Sequence, residues 1–281
     1  MNKASKTIYF LICLGVCLVG SAGADTAYWT DAGSDHLWIN PDNWNGSVPD
    51  SLTDAWIQIF PPDGGPLIRA GDFVDCNRFK LRNGTMTMTG GSLNVHYWGG
   101  VGSYGGTSGQ LIMQGESSLI VDGAFDIGYS QDGFLRVEDQ ATVKTGARLM
   151  VGRTGGNYDG TQQLQHLQLN GGTVRTSHLV INSDGALTFG TIDITGGALI
   201  IEANEVESVE NYIQQGVLTA YGDHPRAEVK VSYVDANTVV TASIPDVCLA
   251  WDPIPADKAG NIEPDVMLGW SAGEYAEQHD V

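Results

Sequence analysis

Several stretches of the 281-residue chain carry residue types that could do chemistry. Gly269-Trp270-Ser271-Ala272-Gly273 follows a strand-like run and matches G-x-S-x-G, the elbow that presents a serine nucleophile. That chemistry needs a following helix and later acidic and histidine partners. Eight residues follow Gly273, His279 among them, so no catalysis by Ser271 is expected. Gly100-Val101-Gly102-Ser103-Tyr104-Gly105 matches G-x-G-x-x-G, but no βαβ unit surrounds it, and a turn between repeats is expected. The six histidines, at 36, 96, 166, 178, 224 and 279, show no paired ligand spacing and no zinc signature. No cofactor or metal is assigned. Tyr97, Trp98, Tyr104 and Tyr158 remain as candidate contacts for a glycan or a partner.

These side chains must be positioned by a repeat. Five segments share one pattern, apolar-x-apolar, a polar Gly-rich step, then apolar-x-apolar or a Thr variant: MTMTGGSLNV from Met86, LIMQGESSLIV from Leu111, LRVEDQATVKT from Leu135, LQLNGGTVRT from Leu167 and IDITGGALII from Ile192. Start-to-start spacings are 25, 24, 32 and 25. A third short element follows in most copies, as in Phe125-Asp126-Ile127, Leu149-Met150-Val151 and Leu179-Val180-Ile181. The period of two makes these strands, and Gly, Asn, Asp and Thr between them supply sharp turns.

Three short strands per repeat predict an all-β fold: a right-handed, three-sided parallel β-solenoid (β-helix) whose coils stack about 4.8 Å apart. The rival is an antiparallel sandwich, which would not require a register that returns every repeat. The 32-residue spacing locates an insertion around Gly155 to Gln162, where Tyr158 sits.

Alternation also assigns outward positions. On the first strand they are Thr87, Ile112, Arg136, Gln168 and Asp193; on the second Asn94, Ile120, Lys144, Arg175 and Ile200; on the third Asp126, Met150 and Val180. A glycoside hydrolase needs two carboxylates about 5 to 9 Å apart across one groove, and a lyase acidic Ca²⁺ ligands plus a base. No acidic pair occupies adjacent repeats in these columns, which argues against an enzyme unless the site is built from the insertion or the ends. The apolar residues at outward positions imply either a wrong register there or a covering element.

Residues 1–24 read as a signal peptide, with Lys3 and Lys6, an apolar run from Ile8 to Val19, and Ala22-Gly23-Ala24 as cleavage pattern. The run is shorter than the about 20 residues that a membrane helix needs, and no transmembrane segment is expected after cleavage. Removal leaves 12 Lys+Arg against 33 Asp+Glu, and Cys76 and Cys248, whose pairing spacing alone does not decide. An acidic chain without a basic stripe makes nucleic acid a poor partner.

Residues 25–80 hold four of the seven Trp and read as an N-terminal cap, 81–204 as the coils, and 205–245 as a C-terminal cap with one short helix and strands. Residues 246–281 read as a linker and an incomplete β-sandwich module.

Three stretches carry a resemblance: NPDNWNGSVPDSLTDAWI (Asn40 to Ile57), NYIQQGVLTAYG (Asn211 to Gly222) with VDANTVVTAS (Val234 to Ser243), and DPIPADKAGNIEPDVMLGWSAGEYAEQHDV (Asp252 to Val281). They resemble large secreted bacterial proteins in which a Gly-rich solenoid, like an autotransporter passenger, precedes a fibronectin-type module and often laminin-G-like domains. The resemblance implies a secreted or cell-surface location and contact with extracellular polysaccharide or cell-surface components; it supplies no catalytic residues. The expected role is a structural or adhesive scaffold without catalysis. The alternatives are a carbohydrate-binding module and a polysaccharide lyase or hydrolase on a β-helix.

Overall fold

A computed structural model describes residues 25–59, 64–103, 108–129, 131–153, 164–183, 189–244, 251–254 and 269–271. The leader, Tyr104, the insertion with Tyr158, Cys248 and most of 245–281 lie outside the described residues. The described chain is all-β with a single α-helix. Its strands are β1 (Thr26–Trp29), β2 (Trp44–Asn45), β3 (Asp54–Gln58), β4 (Leu67–Ile68), β5 (Phe73–Met88) and β6 (Ser92–Ser103). There follow β7 (Ser108–Met113), β8 (Ser118–Val121), β9 (Phe125–Tyr129), β10 (Asp132–Val137), β11 (Thr142–Arg153), β12 (Leu164–Ile181) and β13 (Phe189–Ile201). Helix α1 (Val206–Gln214) then leads to β14 (Leu218–Ala220), β15 (Glu228–Val234) and β16 (Asn237–Ser243). β17 (Trp251–Ile254) and β18 (Gly269–Ser271) form a separate antiparallel pair.

Pairing among β3 to β14 is parallel, which excludes the antiparallel sandwich. The outward columns read from alternation pair as expected: Thr87 with Ile112, Ile112 with Arg136, Arg136 with Gln168, and Gln168 with Asp193. The second column, Asn94 through Ile200, pairs likewise, and Asp126 pairs with Met150 and Met150 with Val180.

The expected three-sided solenoid is corrected in one respect. Instead of three short strands separated by turns, hydrogen bonding closes a ring of seven parallel strands, β5-β6-β8-β11-β12-β10-β7 and back to β5. The reason is that β5, β6, β11 and β12, of 16, 12, 12 and 18 residues, run on through the corners. Register shifts at Cys76/Arg78, Thr145/Arg148 and Leu169/Thr173 mark those corners. A bulge bends a strand without ending it. One strand then serves different neighbours on either side of the bend: residues 73–81 of β5 pair with β6, and residues 84–88 with β7.

The inward residues between the outward positions stack, within the ring and on through β13 and β14. Met86, Leu111, Leu135, Leu167, Ile192 and Leu218 form one column, each at most 1% exposed. Trp29, Trp38 and Trp44 pack edge to face at 4.8–5.1 Å between rings and are buried. Cys76 is free and fully buried. Near the C-terminal end α1 buries Val209 and lays Tyr212 and Ile213 on the core, leaving Glu207 and Glu210 exposed. The β15–β16 hairpin pairs antiparallel with β13, Ile200 meeting Val239.

One corner requires glycine. Gly102, Gly128 and Gly152 hold the left-handed region at φ +68°, +76° and +85°, and Asn182 continues the series at +58°. A Cβ at Gly102 would lie 2.2 Å from the Asp132 carbonyl oxygen, whereas one at Gly216, also at φ +68°, would meet nothing within 4 Å. Gly216→Ala is therefore expected to cost about 1 kcal/mol from backbone strain alone. Gly102→Ala should lose more, because a ladder must also shift. Chemical denaturation of the two variants checks this; equal losses would refute the close approach at the corner.

Candidate functional site

The outer side of β5, β6, β9 and β11 gathers an aromatic and basic groove of about 430 Å³, lined by Arg78, Lys80, Tyr97, Trp98, Tyr129 and Arg153. Alternation along β5 sends Phe79 and Leu81 fully inward and Arg78, Lys80 and Arg82 outward. On β6 plain alternation would put Tyr97 and Trp98 on opposite faces. A bulge prevents this: Cys76 pairs with Val95 and Arg78 with Trp98, so two residues of β6 oppose one of β5. Tyr97 projects, 59% exposed, and Trp98 lies half-buried beside it. The Trp98 ring covers Gly100, where a Cβ would come within 2.8 Å of it. Tyr129 and Arg153 each follow a positive-φ glycine of the corner and pair with one another in register.

The groups hold one another in place. Trp98 Nε1 donates to Asp126 Oδ2 at 3.2 Å, and Arg153 Nη1 donates to the same oxygen at 3.0 Å. Arg153 sits over the Tyr129 ring at 4.4 Å and Arg78 over Tyr97 at 4.9 Å; Trp98 meets Tyr129 edge-on at 6.2 Å. Beside the groove Lys80 Nζ stands 4.1 Å above the Trp56 ring, and Arg82 is 5.3 Å from the same ring. Such contacts contribute about 0.5–1 kcal/mol each at exposed sites. Their larger effect is to fix where the cations stand.

Asp126 occupies an outward register position yet is fully buried beneath Trp98 and Arg153. Burial raises its pKa above the ordinary 3.8, and the Arg153 guanidinium opposes the rise. Its Oδ1 is buried without a hydrogen-bond partner. Burial also lowers the pKa of Lys80, against the attraction of Asp54.

The structure thus brings Tyr97 and Trp98 together, while Tyr104 and Tyr158 lie outside the described residues. Sequence reasoning missed Arg78, Lys80, Tyr129 and Arg153. The signal for the last two was present in the matched runs Ile127-Gly128-Tyr129 and Val151-Gly152-Arg153. Ser271 ends β18 and is the last residue described. Asp75, which extends the second outward column as the register partner of Asn94, and Asp122 converge on His96, at 3.2 and 3.3 Å from its two ring nitrogens, but all three side chains are solvent-exposed. Among the described residues no group of three or more His, Cys, Asp or Glu is placed to hold a metal, and no helix is long and apolar enough to cross a membrane. No family model matches the chain, and neither a curated protein nor a solved structure matches it.

Proposed function

We propose that this chain is a secreted or cell-surface adhesive scaffold, without catalysis of its own, that contacts a carbohydrate through the groove around Tyr97 and Trp98. The single observation that supports this reading is the convergence of three aromatic rings with fixed polar groups on one exposed face. Aromatic rings take the apolar faces of sugars while the polar groups at their rims meet hydroxyls. The leader-like residues 1–24 agree with export, and the stretches quoted above agree with a resemblance to secreted bacterial solenoid proteins.

The finer architecture belongs to the same reading. In it, residues 25–80 and 205–245 close the two ends of the stack and 246–281 open a fibronectin-type module. A rigid stack of this kind suits a spacer that displays a binding face.

Retention on immobilised glycans tests the proposal. Tyr97→Ala, at an exposed position, should weaken binding at least tenfold, about 1.4 kcal/mol, with an unchanged melting curve; Trp98→Ala should weaken it further. No retention of the wild-type chain on any glycan would end the binding reading. Sustained release of reducing ends or of unsaturated, ultraviolet-absorbing products would replace it with the lyase or hydrolase reading.

A further inference from the structure

The groove is cationic in a chain whose formal charge is −19, and this asymmetry goes further than the aromatic rings do. Arg78, Lys80, Arg82 and Arg153 are four of only 14 basic residues, and β5 and β11 bring all four to one face. The carboxylates paired with two of them, Arg78 and Arg153, are withdrawn from that face. Asp54, 3.7 Å from Arg78, has 6% of its side chain exposed, and Asp126, 3.0 Å from Arg153, has none. The two arginines keep 42% and 32%. At these two arginines solvent therefore meets the cation and not its counter-charge. At physiological salt the repulsion from the rest of the acidic surface is screened beyond about 8 Å, so a ligand seated in the groove feels the local positive charge.

The cations also have a direction. Trp56, Lys80, Gly100 and Asp126 are consecutive partners across adjoining strands. At about 4.8 Å per step this row spans about 14 Å perpendicular to the strands. Trp56 stands at one end, the Trp98 ring lies over Gly100 in the middle, and Arg153 covers Asp126 at the other end. Rings and guanidinium or ammonium groups alternate along it, each cation already held over a ring.

We propose that the groove binds an acidic polysaccharide, with carboxylate or sulfate groups on Arg78, Lys80 and Arg153, and with the sugar chain running across the strands from Trp56 toward Arg153. This rests on the carbohydrate reading above and names its ligand class. Uronate and sulfate share the recognition chemistry, because both are planar or tetrahedral oxyanions that guanidinium groups hold through paired hydrogen bonds.

The test uses the full chain and one polymer backbone in two charge states, polygalacturonate and its fully methyl-esterified form, together with a sulfated glycan and a single-stranded oligonucleotide. Polygalacturonate, the sulfated glycan or both should bind at least tenfold more tightly than the esterified polymer. That binding should weaken steeply between about 50 and 500 mM salt, as counterion-linked contacts do. Lys80→Gln and Arg78→Gln should each reduce the salt dependence as well as the affinity, with folding checked by an unchanged melting curve. Equal binding of acidic and esterified polymers would overturn the acidic ligand and leave the carbohydrate reading standing. Binding of the oligonucleotide alone, or of nothing, would overturn both.

Discussion

Truncation of Leu135 to alanine is expected to lower the unfolding free energy by about 3 kcal/mol, within the range for buried leucines. Leu135 is 1% exposed and sits in the middle of a column, with Leu111 on one side and Leu167 on the other, all three inside the ring. Removing its isobutyl group takes contacts from both neighbours at once. The hydrogen-bonded strands on either side hold their spacing, so the void cannot close by sliding one strand toward the other. The next residue provides the contrast. Arg136 points outward and forms an ion pair with Glu138 at 3.0 Å, its side chain 37% exposed. Arg136→Ala should change stability by less than about 1 kcal/mol, as exposed pairs do. Leu135→Asp, which buries a charge with no partner of opposite sign in the column, should prevent folding. Urea denaturation of the alanine variants checks the first two, and equal losses would show that neighbouring residues do not face opposite sides.

The same alternation explains how much of the fold was legible. Where the chain runs straight, as in Leu135-Arg136-Val137 or Leu167-Gln168-Leu169, the period of two places every side chain, and pairing follows at the repeat spacing. It could not show that strands continue through the corners, because a bulge is a local backbone event with no residue type of its own. Nor could it say which apolar outward residues are covered: Met150 is 6% exposed, whereas Ile120 is 38% exposed, and both sit in outward columns. The groove suffered most. Tyr97 and Trp98 were noticed as residues but share a face only through the β6 bulge. Arg78 lies 75 positions from Arg153 and reaches it only through strands that pair in between. A run of Phe-Lys-Leu-Arg at 79–82 reads as an ordinary half-buried strand until its neighbours are known.

Arg153→Met should destabilise the protein at neutral pH by about 2 to 3 kcal/mol, somewhat under the range for fully buried pairs because Arg153 is 32% exposed. The loss comes from what is left behind. Asp126 is fully buried, keeps the Trp98 hydrogen bond and the weaker attraction of Arg148, and already holds one oxygen without a partner. Burial raises its pKa above 3.8 even with the guanidinium in place. A carboxyl with a higher pKa in the folded than in the unfolded chain favours folding fully below the unfolded value, and that contribution fades as pH rises through the folded value. Two consequences follow with definite sign. Asp126→Asn, which cannot ionise, should be as stable as the wild type or more so near neutral pH, and any advantage should shrink on acidification toward 3.8. The Arg153→Met loss should likewise shrink as pH falls, because the stranded carboxyl takes up its proton, and Asp126→Asn should rescue it in the double variant. Denaturation of the four proteins at about pH 3.5 and about pH 7.5 brackets the ordinary carboxyl range. A loss in Arg153→Met that is the same at both pH values and persists in the double variant would mean that Arg153 acts through packing and not through the charge beneath it.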